Sequence, residues 1–182
     1  MQRKMGTMFM EKKLKIEMLE KNHHRESFDC GIEALNAFLK KHANQNQKNN
    51  ISRTFVAVDE NTSRLNQKKE ILGFYTLAAG EIDPKLLPQS AKHPKYPVSI
   101  AKLARLAVDL EYQGEGIGGT LLRDACKKIQ IASEMVGIFA VVVDAKDATA
   151  KSFYQSYGFA EILNSNLKLF MPMAMIEKLT IQ

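Results

Sequence analysis

Apolar and polar positions alternate along Leu14-Lys15-Ile16-Glu17-Met18, the two-residue period of a half-buried strand. Ile32, Leu35, Phe38 and Leu39 then recur at helical spacing with Lys40 and Lys41 outside the apolar stripe, which predicts an amphipathic helix. The polar run from His42 to Asn50 reads as the frayed end of that helix and a turn. Thr54 to Val58 and Ile71 to Leu77 are β-rich apolar runs, a predicted strand pair joined by a long hairpin loop over Asp59 to Glu70. Between Asp83 and Pro97 lie Pro84, Pro88 and Pro94, and proline neither donates within a sheet nor continues a helix, so this stretch is loop with at most a short helical turn. A long central strand is predicted from Val98 to Val108.

Next come the loop Gln113-Gly114-Glu115-Gly116-Ile117-Gly118-Gly119 and a strongly patterned helix with Ile117, Leu121, Leu122, Ala125, Ile129, Ala132 and Val136 on one face, ended by Gly137. Ile138 to Val143 is continuously apolar, the mark of a strand covered on both faces. A short helix from Ala148 to Tyr157 stops at Gly158, and Phe159 to Leu163 and Leu167 to Met175 read as two late strands. This order predicts an α/β domain with a mixed sheet. Its strand, glycine loop, helix and strand form a parallel crossover unit, with the loop at the carboxyl end of the first strand, where open sheets bind ligands.

At 182 residues, 45% of them hydrophobic and 25% charged, the chain is sized and composed for one folded domain. No run approaches the ~18 apolar residues of a membrane-spanning helix. The basic start MQRKMGTMFMEKK has no secretory apolar run behind it, so the expected location is the cytoplasm. Cys30 and Cys126 are isolated from one another and read as reduced thiols. His23, His24, His42 and His93 show no metal-ligand spacing, and no metal is expected. The excess of six positive charges favours a polyanionic partner without naming it.

Gly114, Gly116 and Gly119 formally satisfy the dinucleotide-binding G-x-G-x-x-G pattern. Two facts weaken that reading: Asp109 to Gln113 separate the strand from the first glycine, and too little chain follows for a doubly wound domain. A P-loop fails because Thr120, not lysine, follows Gly119. What remains is a phosphate cradle of backbone N–H groups at a helix N-terminus, or a tight turn with no ligand.

Gln113-Gly114-Glu115-Gly116-Ile117-Gly118 resembles the Q/R-x-x-G-x-G/A signature of the GCN5-related N-acetyltransferases (GNAT), and Ala145 to Phe159, containing Phe153-Tyr154 and Gly158-Phe159, resembles their A-x-x-FY-x-x-x-GF ending. Phe28-Asp29-Cys30-Gly31, Leu35, Phe38, Leu39, Ala43, Ser52-Arg53-Thr54-Phe55-Val56 and Arg105-Leu106-Ala107-Val108-Asp109 are similar to the acetyltransferase toxins of bacterial toxin–antitoxin pairs; Asn36 stands where aspartate is common. The likeness runs from about residue 14 to the C-terminus. It implies a single acetyltransferase domain over 13–182, built on a mostly antiparallel sheet, behind an extension of residues 1–12; translation could begin at Met8 or Met10. It further implies acetyl-coenzyme A as cofactor and the α-amino group of aminoacyl-tRNA as acceptor, with translation blocked as the outcome. A ribbon-helix-helix antitoxin as partner, operator DNA reached only through it, and a homodimer are also implied.

Acyl transfer needs a neutral amine, stabilisation of the oxyanion and a proton for the leaving thiolate. The resemblance makes Tyr154 the proton donor, with Tyr157 in reserve; the plain alternative for Tyr154 is a core aromatic. An α-amino group, with pKa ~7.7–8, needs no dedicated base, although Glu81 after the third strand is a candidate or else a solvated strand end. Cofactor-binding positions implied are Leu106, Ala107 and Val108 through their backbone, Gln113, Gly114, Glu115, Gly116, Ile117, Gly118, Gly119 and Thr120 around the diphosphate, and Asp147 and Phe153. Arg105 interrupts an apolar strand on the expected face of Leu103 and Ala107; it contacts RNA phosphate, orders the substrate pocket or pairs with an acid. Arg25, Lys40, Lys41, Lys48, Arg53, Arg123, Lys127 and Lys128 could together form an RNA-binding surface, or be separate solvated charges. The rival functions are an acetyltransferase of a small amine or protein N-terminus, and an inactive coenzyme A-binding or antitoxin-assisted DNA-binding module.

Overall fold

The computed structural model describes residues 12–62, 68–88 and 95–180. Residues 1–11, with the alternative starts Met8 and Met10, lie outside the described residues, as do His93 and Pro94. Lys12, the last residue of the expected extension, pairs with Glu115 of the glycine loop at 2.6 Å and lies over the Tyr112 ring.

The strands are β1 (Leu14–Met18), β2 (His23–His24), β3 (Arg53–Asp59), β4 (Lys69–Glu70), β5 (Gly73–Ile82), β6 (Val98–Val108), β7 (Ala140–Asp144), β8 (Ala160–Glu161) and β9 (Lys168–Pro172). The helices are α1 (Glu33–Ala37), α2 (Ala43–Lys48), α3 (Ile117–Ser133), α4 (Ala148–Ser156) and α5 (Met173–Thr180). Among the described residues seven strands form one sheet in the order β1-β3-β5-β6-β7-β9-β8, antiparallel throughout except for the parallel pair β6–β7. That parallel pair is the predicted crossover, with α3 between its strands.

The crossover helix buries Leu121, Leu122, Ala125 and Ile129 against one sheet face, where α5 and the α4 residue Tyr154 join the same core. Each large side chain so buried contributes about 1.5–3 kcal/mol. The other face holds Phe28, Phe38, Leu39 and Phe74; Phe28 meets Phe74 edge-on at 5.4 Å and Phe38 stacks on it at 6.4 Å. Ala140, Val141, Val142 and Val143 are all buried, as a strand covered on both faces requires.

Five local expectations are corrected. The polar run after Leu39 is not a frayed end: the helix passes through a π-turn at Phe38–His42 and continues as α2 to Lys48. Arg25 donates to the Lys40 carbonyl at 3.1 Å, and Arg53 closes the far end by donating to the Gln47 carbonyl and the Asn50 side chain, both at 2.7 Å. The strand predicted from Ile71 begins at Gly73, and the hairpin segment instead supplies β4, which pairs in parallel with β2. Helix α3 stops at Ser133, so Val136 is exposed and Gly137 is not its cap. The last predicted strand ends at Pro172, and Met173 onward is helix, buried through Ile176 on the α3 side of the sheet. Its alternating methionines mimic a strand period, but Ala, Met, Glu, Lys and Leu are all strong helix formers.

The fifth correction concerns Arg105. The pairing of β5 with β6 slips between Thr76 and Leu77, which oppose Arg105 and Leu103, so Ala104 is an extra, bulged residue. One extra residue inverts the side-chain alternation beyond it. Leu103 and Leu106 therefore join the α3-side core, whereas Arg105 and Ala107 face α1 and the π-turn.

Candidate active site

The pairing of β6 with β7 ends at Leu103 and Val143, but β6 runs on to Val108. From the Ala104 bulge onward the two parallel strands part, and the β6 edge that faced β7 carries backbone N–H and C=O groups with no strand to pair. The opening is a cleft of about 690 Å³ lined by Leu106, Ala107 and Val108, by loop and helix residues Gln113, Gly114, Gly116, Ile117, Gly118 and Gly119, and by Asp147, Phe153 and Tyr154. Twelve of the predicted site residues are thus brought together. Glu115 and Thr120 are not in the lining: Glu115 pairs with Lys12, and the Thr120 hydroxyl donates to the Gly116 carbonyl at 3.3 Å.

The glycines of the loop have different reasons to be there. Gly114 (φ +83°) and Gly116 (φ +81°) need a left-handed backbone, and space around both is open. Gly116 is the residue preceding α3, so the amides of the first helical turn, which have no carbonyl upstream, point into the loop. Gly119 is instead a close approach: a Cβ there would lie 2.0 Å from the Tyr157 hydroxyl. Gln113 does not face a ligand with its side chain; its amide donates to the carbonyls of Val108 (3.0 Å) and Cys30 (3.5 Å), tying the loop to the end of β6.

Asp147 caps α4 by accepting from the Ala150 amide at 2.8 Å. That bond, with the Lys146 ammonium, holds its carboxyl below the usual range. Helix α4 carries Phe153 and Tyr154 in edge contact at 5.2 Å, with Tyr154 also against Phe159 at 5.7 Å. Tyr154 is 7% exposed, and burial alone pushes its phenol up to about 12. It therefore borders the cleft as a fully protonated acid at neutral pH.

Sequence reasoning missed the wall opposite α4, formed by Cys30, Gly31, Ile32 and Leu35. Its traces in the sequence are the Phe28-Asp29-Cys30-Gly31 motif and the helix positions Ile32 and Leu35. This segment is locked to the loop: the Asp29 carbonyl accepts from Leu110 at 2.8 Å, Asp109 accepts from the Asp29 amide at 2.9 Å, and Asn36 accepts from the Cys30 amide at 3.0 Å while donating to Asp29 at 2.8 Å. Burial raises the thiols of Cys30 and Cys126, the latter to about 12, so neither is a ready nucleophile.

The other candidates lie apart from the cleft. Glu81 is exposed and opposite Ser99, roughly 20 Å along the sheet from Leu106. Lys128 is engaged with Asp124 at 2.7 Å and with the Phe55 ring, and Arg25 and Arg53 hold helix carbonyls. Arg123 and Lys127 line a separate hollow between α3 and β1, while Lys40 and Lys41 sit on the π-turn beyond the opposite sheet face, with Lys48 at the end of α2. The eight cations therefore do not make one surface. His23 is buried and bonded to Glu17, His24 is bonded to Glu70, and no metal-holding group exists among the described residues. No helix among them is long and apolar enough to cross a membrane.

A free strand edge leading away from an amide-lined glycine turn suits a ligand with a diphosphate at one end and an amide-bearing arm behind it, the chemistry of a coenzyme A thioester. Comparison with known proteins agrees. The acetyltransferase (GNAT) domain family matches residues 50–161. The chain is similar to a probable toxin TacT of Sinorhizobium fredii, 30% identical over 90% of this chain and 93% of the relative. It is also similar to a tRNA-acetylating toxin of Mycobacterium tuberculosis, 34% identical over 73% of this chain and 76% of the relative. The solved structure of AtaT complexed with acetyl-methionyl-tRNAfMet superimposes with a TM-score of 0.83 at 33% identity, covering 92% of this chain and 99% of that one. With the GNAT domain matched over 50–161 and a relative 30% identical across nine-tenths of its length, the chain belongs to the GNAT acetyltransferase family.

Proposed function

We propose that this protein is the toxin of a toxin–antitoxin pair, an N-acetyltransferase that moves acetyl from acetyl-coenzyme A to the α-amino group of aminoacyl-tRNA and so blocks translation. The observation that carries the chemistry is the convergence of the 113–119 loop, the free edge of β6 and Tyr154 on one cleft. The named activity of the Mycobacterium tuberculosis relative and the RNA held by AtaT support the acceptor.

Acetyl-coenzyme A, when bound, supplies an acetyl group already activated as a thioester. The amides of α3's first turn and of the glycine loop would hold the diphosphate, and the backbone of Leu106 to Val108 would align the arm. Phe153, beside Gly118, would cover the arm and exclude water. Tyr154 keeps a proton on Oη, which it would give to the leaving thiolate of the bound thioester. An α-amine with pKa ~7.7–8 is partly neutral at physiological pH and attacks without prior deprotonation; the proton its nitrogen releases as the amide forms passes to water or back to Tyr154 Oη, which restores the phenol. A ribbon-helix-helix antitoxin as partner, operator DNA reached only through that antitoxin, a homodimer and a cytoplasmic location complete the reading.

The test is transfer of labelled acetyl from acetyl-coenzyme A to a pool of charged tRNA, with uncharged tRNA and free amino acids as controls. Label confined to charged tRNA supports the reading; label on free amines alone turns it toward a small-amine acetyltransferase.

A further inference from the structure

Arg105 is the first residue of β6 past the bulge, where the strands part. Its guanidinium lies 3.6 Å from the centre of the Phe38 ring, and Phe38 opens the π-turn that interrupts the α1–α2 helix. A sheet bulge and a helix bulge thus bring one cation and one ring face to face. The stack occupies a flat face of the guanidinium and leaves its five in-plane N–H donors unused. None of the described residues accepts a hydrogen bond from them or pairs with the charge, and burial, which lowers the guanidinium's pKa, is the only influence on it. A half-buried cation with no counter-ion is costly unless an anion arrives from outside.

Its position narrows the choice of anion. The glycine loop lies beyond Val108 at one end of the free strand edge, and Arg105 lies at the other, where the edge begins. Leu106 and Ala107 line the cleft, but Arg105 does not; it sits beside the cleft, on the α1 face. It is therefore placed away from the diphosphate and toward the side from which a second substrate meets the reacting end.

We propose that Arg105, held flat on Phe38, is the receptor for a phosphodiester at the 3′ end of the acceptor RNA, an inference that rests on the aminoacyl-tRNA reading above. An aminoacyl ester has no free carboxylate, so the nearest anions on that substrate are the backbone phosphates of its terminal nucleotides. The planar fork of arginine matches two phosphate oxygens, and the ring beneath fixes its plane.

The test uses the full chain, Arg105→Gln and Arg105→Lys, with binding of an uncharged acceptor-stem hairpin ending in CCA followed over a salt series. Arg105→Gln is expected to weaken binding about tenfold to a hundredfold and to flatten the slope of log K against log salt by about 0.7. Arg105→Lys keeps the slope but loses several-fold in affinity, and it carries the test if the glutamine variant does not fold. Acetyl transfer provides the second readout: kcat/KM on charged tRNA falls in Arg105→Gln, whereas transfer to aminoacyl-adenosine, which has no phosphate, does not. Unchanged hairpin binding in both variants overturns the proposal, as does an equal loss on tRNA and aminoacyl-adenosine. Loss of transfer to a free amino acid with hairpin binding intact also overturns it and makes Arg105 a carboxylate receptor. If the wild type binds the hairpin through Arg105 yet acetylates no charged tRNA, the acyl-acceptor reading fails and the phosphate receptor stands.

Discussion

At the scale of single residues the chemistry rests on a tyrosine made a dependable acid by burial. With its phenol pushed up to about 12, Tyr154 keeps its proton across the range in which the acceptor amine, with pKa ~7.7–8, becomes neutral. Transfer is therefore expected to rise with pH through about 8 and to show no alkaline fall below about pH 11. Tyr154→Phe should lower kcat about a hundredfold or more, as loss of a general acid does, while the dissociation constant for coenzyme A changes less than about threefold. Steady-state kinetics and calorimetric titration separate the two effects, and an unchanged kcat would remove Tyr154 from the mechanism. The residues beside the cleft show why identity alone does not predict a role. Gln113 matches the family's phosphate-loop signature, yet its side chain ties the loop to Val108 and Cys30.

At the scale of elements, three irregularities shape the cleft: the Ala104 bulge, the π-turn and the left-handed loop entering α3. The loop yields a prediction from the close approach at Gly119. Alanine favours a helix over glycine by about 1 kcal/mol, so Gly119→Ala should not impair folding. Its Cβ would lie 2.0 Å from the Tyr157 hydroxyl, which must then swing into the cleft. We expect coenzyme A to bind about tenfold more weakly to Gly119→Ala and to recover most of that loss in Gly119→Ala/Tyr157→Phe, where the nearest ring atom is 3.2 Å away. Equal weakness of the single and double variants in titration calorimetry would show that Tyr157 is not the obstacle. The bulge was invisible in the sequence because Ala104 fits either alternation pattern, and it decides which face of the sheet receives Arg105.

At the scale of the whole molecule, β1, the β1–β2 turn and the small β2–β4 ladder are joined through Glu17, which bonds to Lys69, to His23 at 2.9 Å and to Lys15 at 3.3 Å. Burial alone would raise the Glu17 carboxyl; the hydrogen bonds from Lys69, His23 and Lys15 outweigh it and hold it at about 2 instead of the ordinary 4.5. A pKa depressed in the folded state gives stability that is present above pH 4.5 and is lost as pH falls from 4.5 through 2. Glu17→Gln should therefore lower Tm at pH 6 and show a smaller further drop between pH 5 and pH 3 than the wild type, measured by calorimetry. Parallel curves would place the acid sensitivity elsewhere. By itself the chain's pattern determined the parallel crossover, the full span of β6, the glycine loop and the tyrosine helix, because each is a local consequence of periodicity, a chirality requirement or a contiguous motif. Only the tertiary structure decided that the α1 segment walls the cleft, that Glu81 is remote, that the eight cations divide among separate sites, and that Arg105 turns toward Phe38. Those outcomes depend on strand register and on contacts between residues tens of positions apart, which no local spacing encodes.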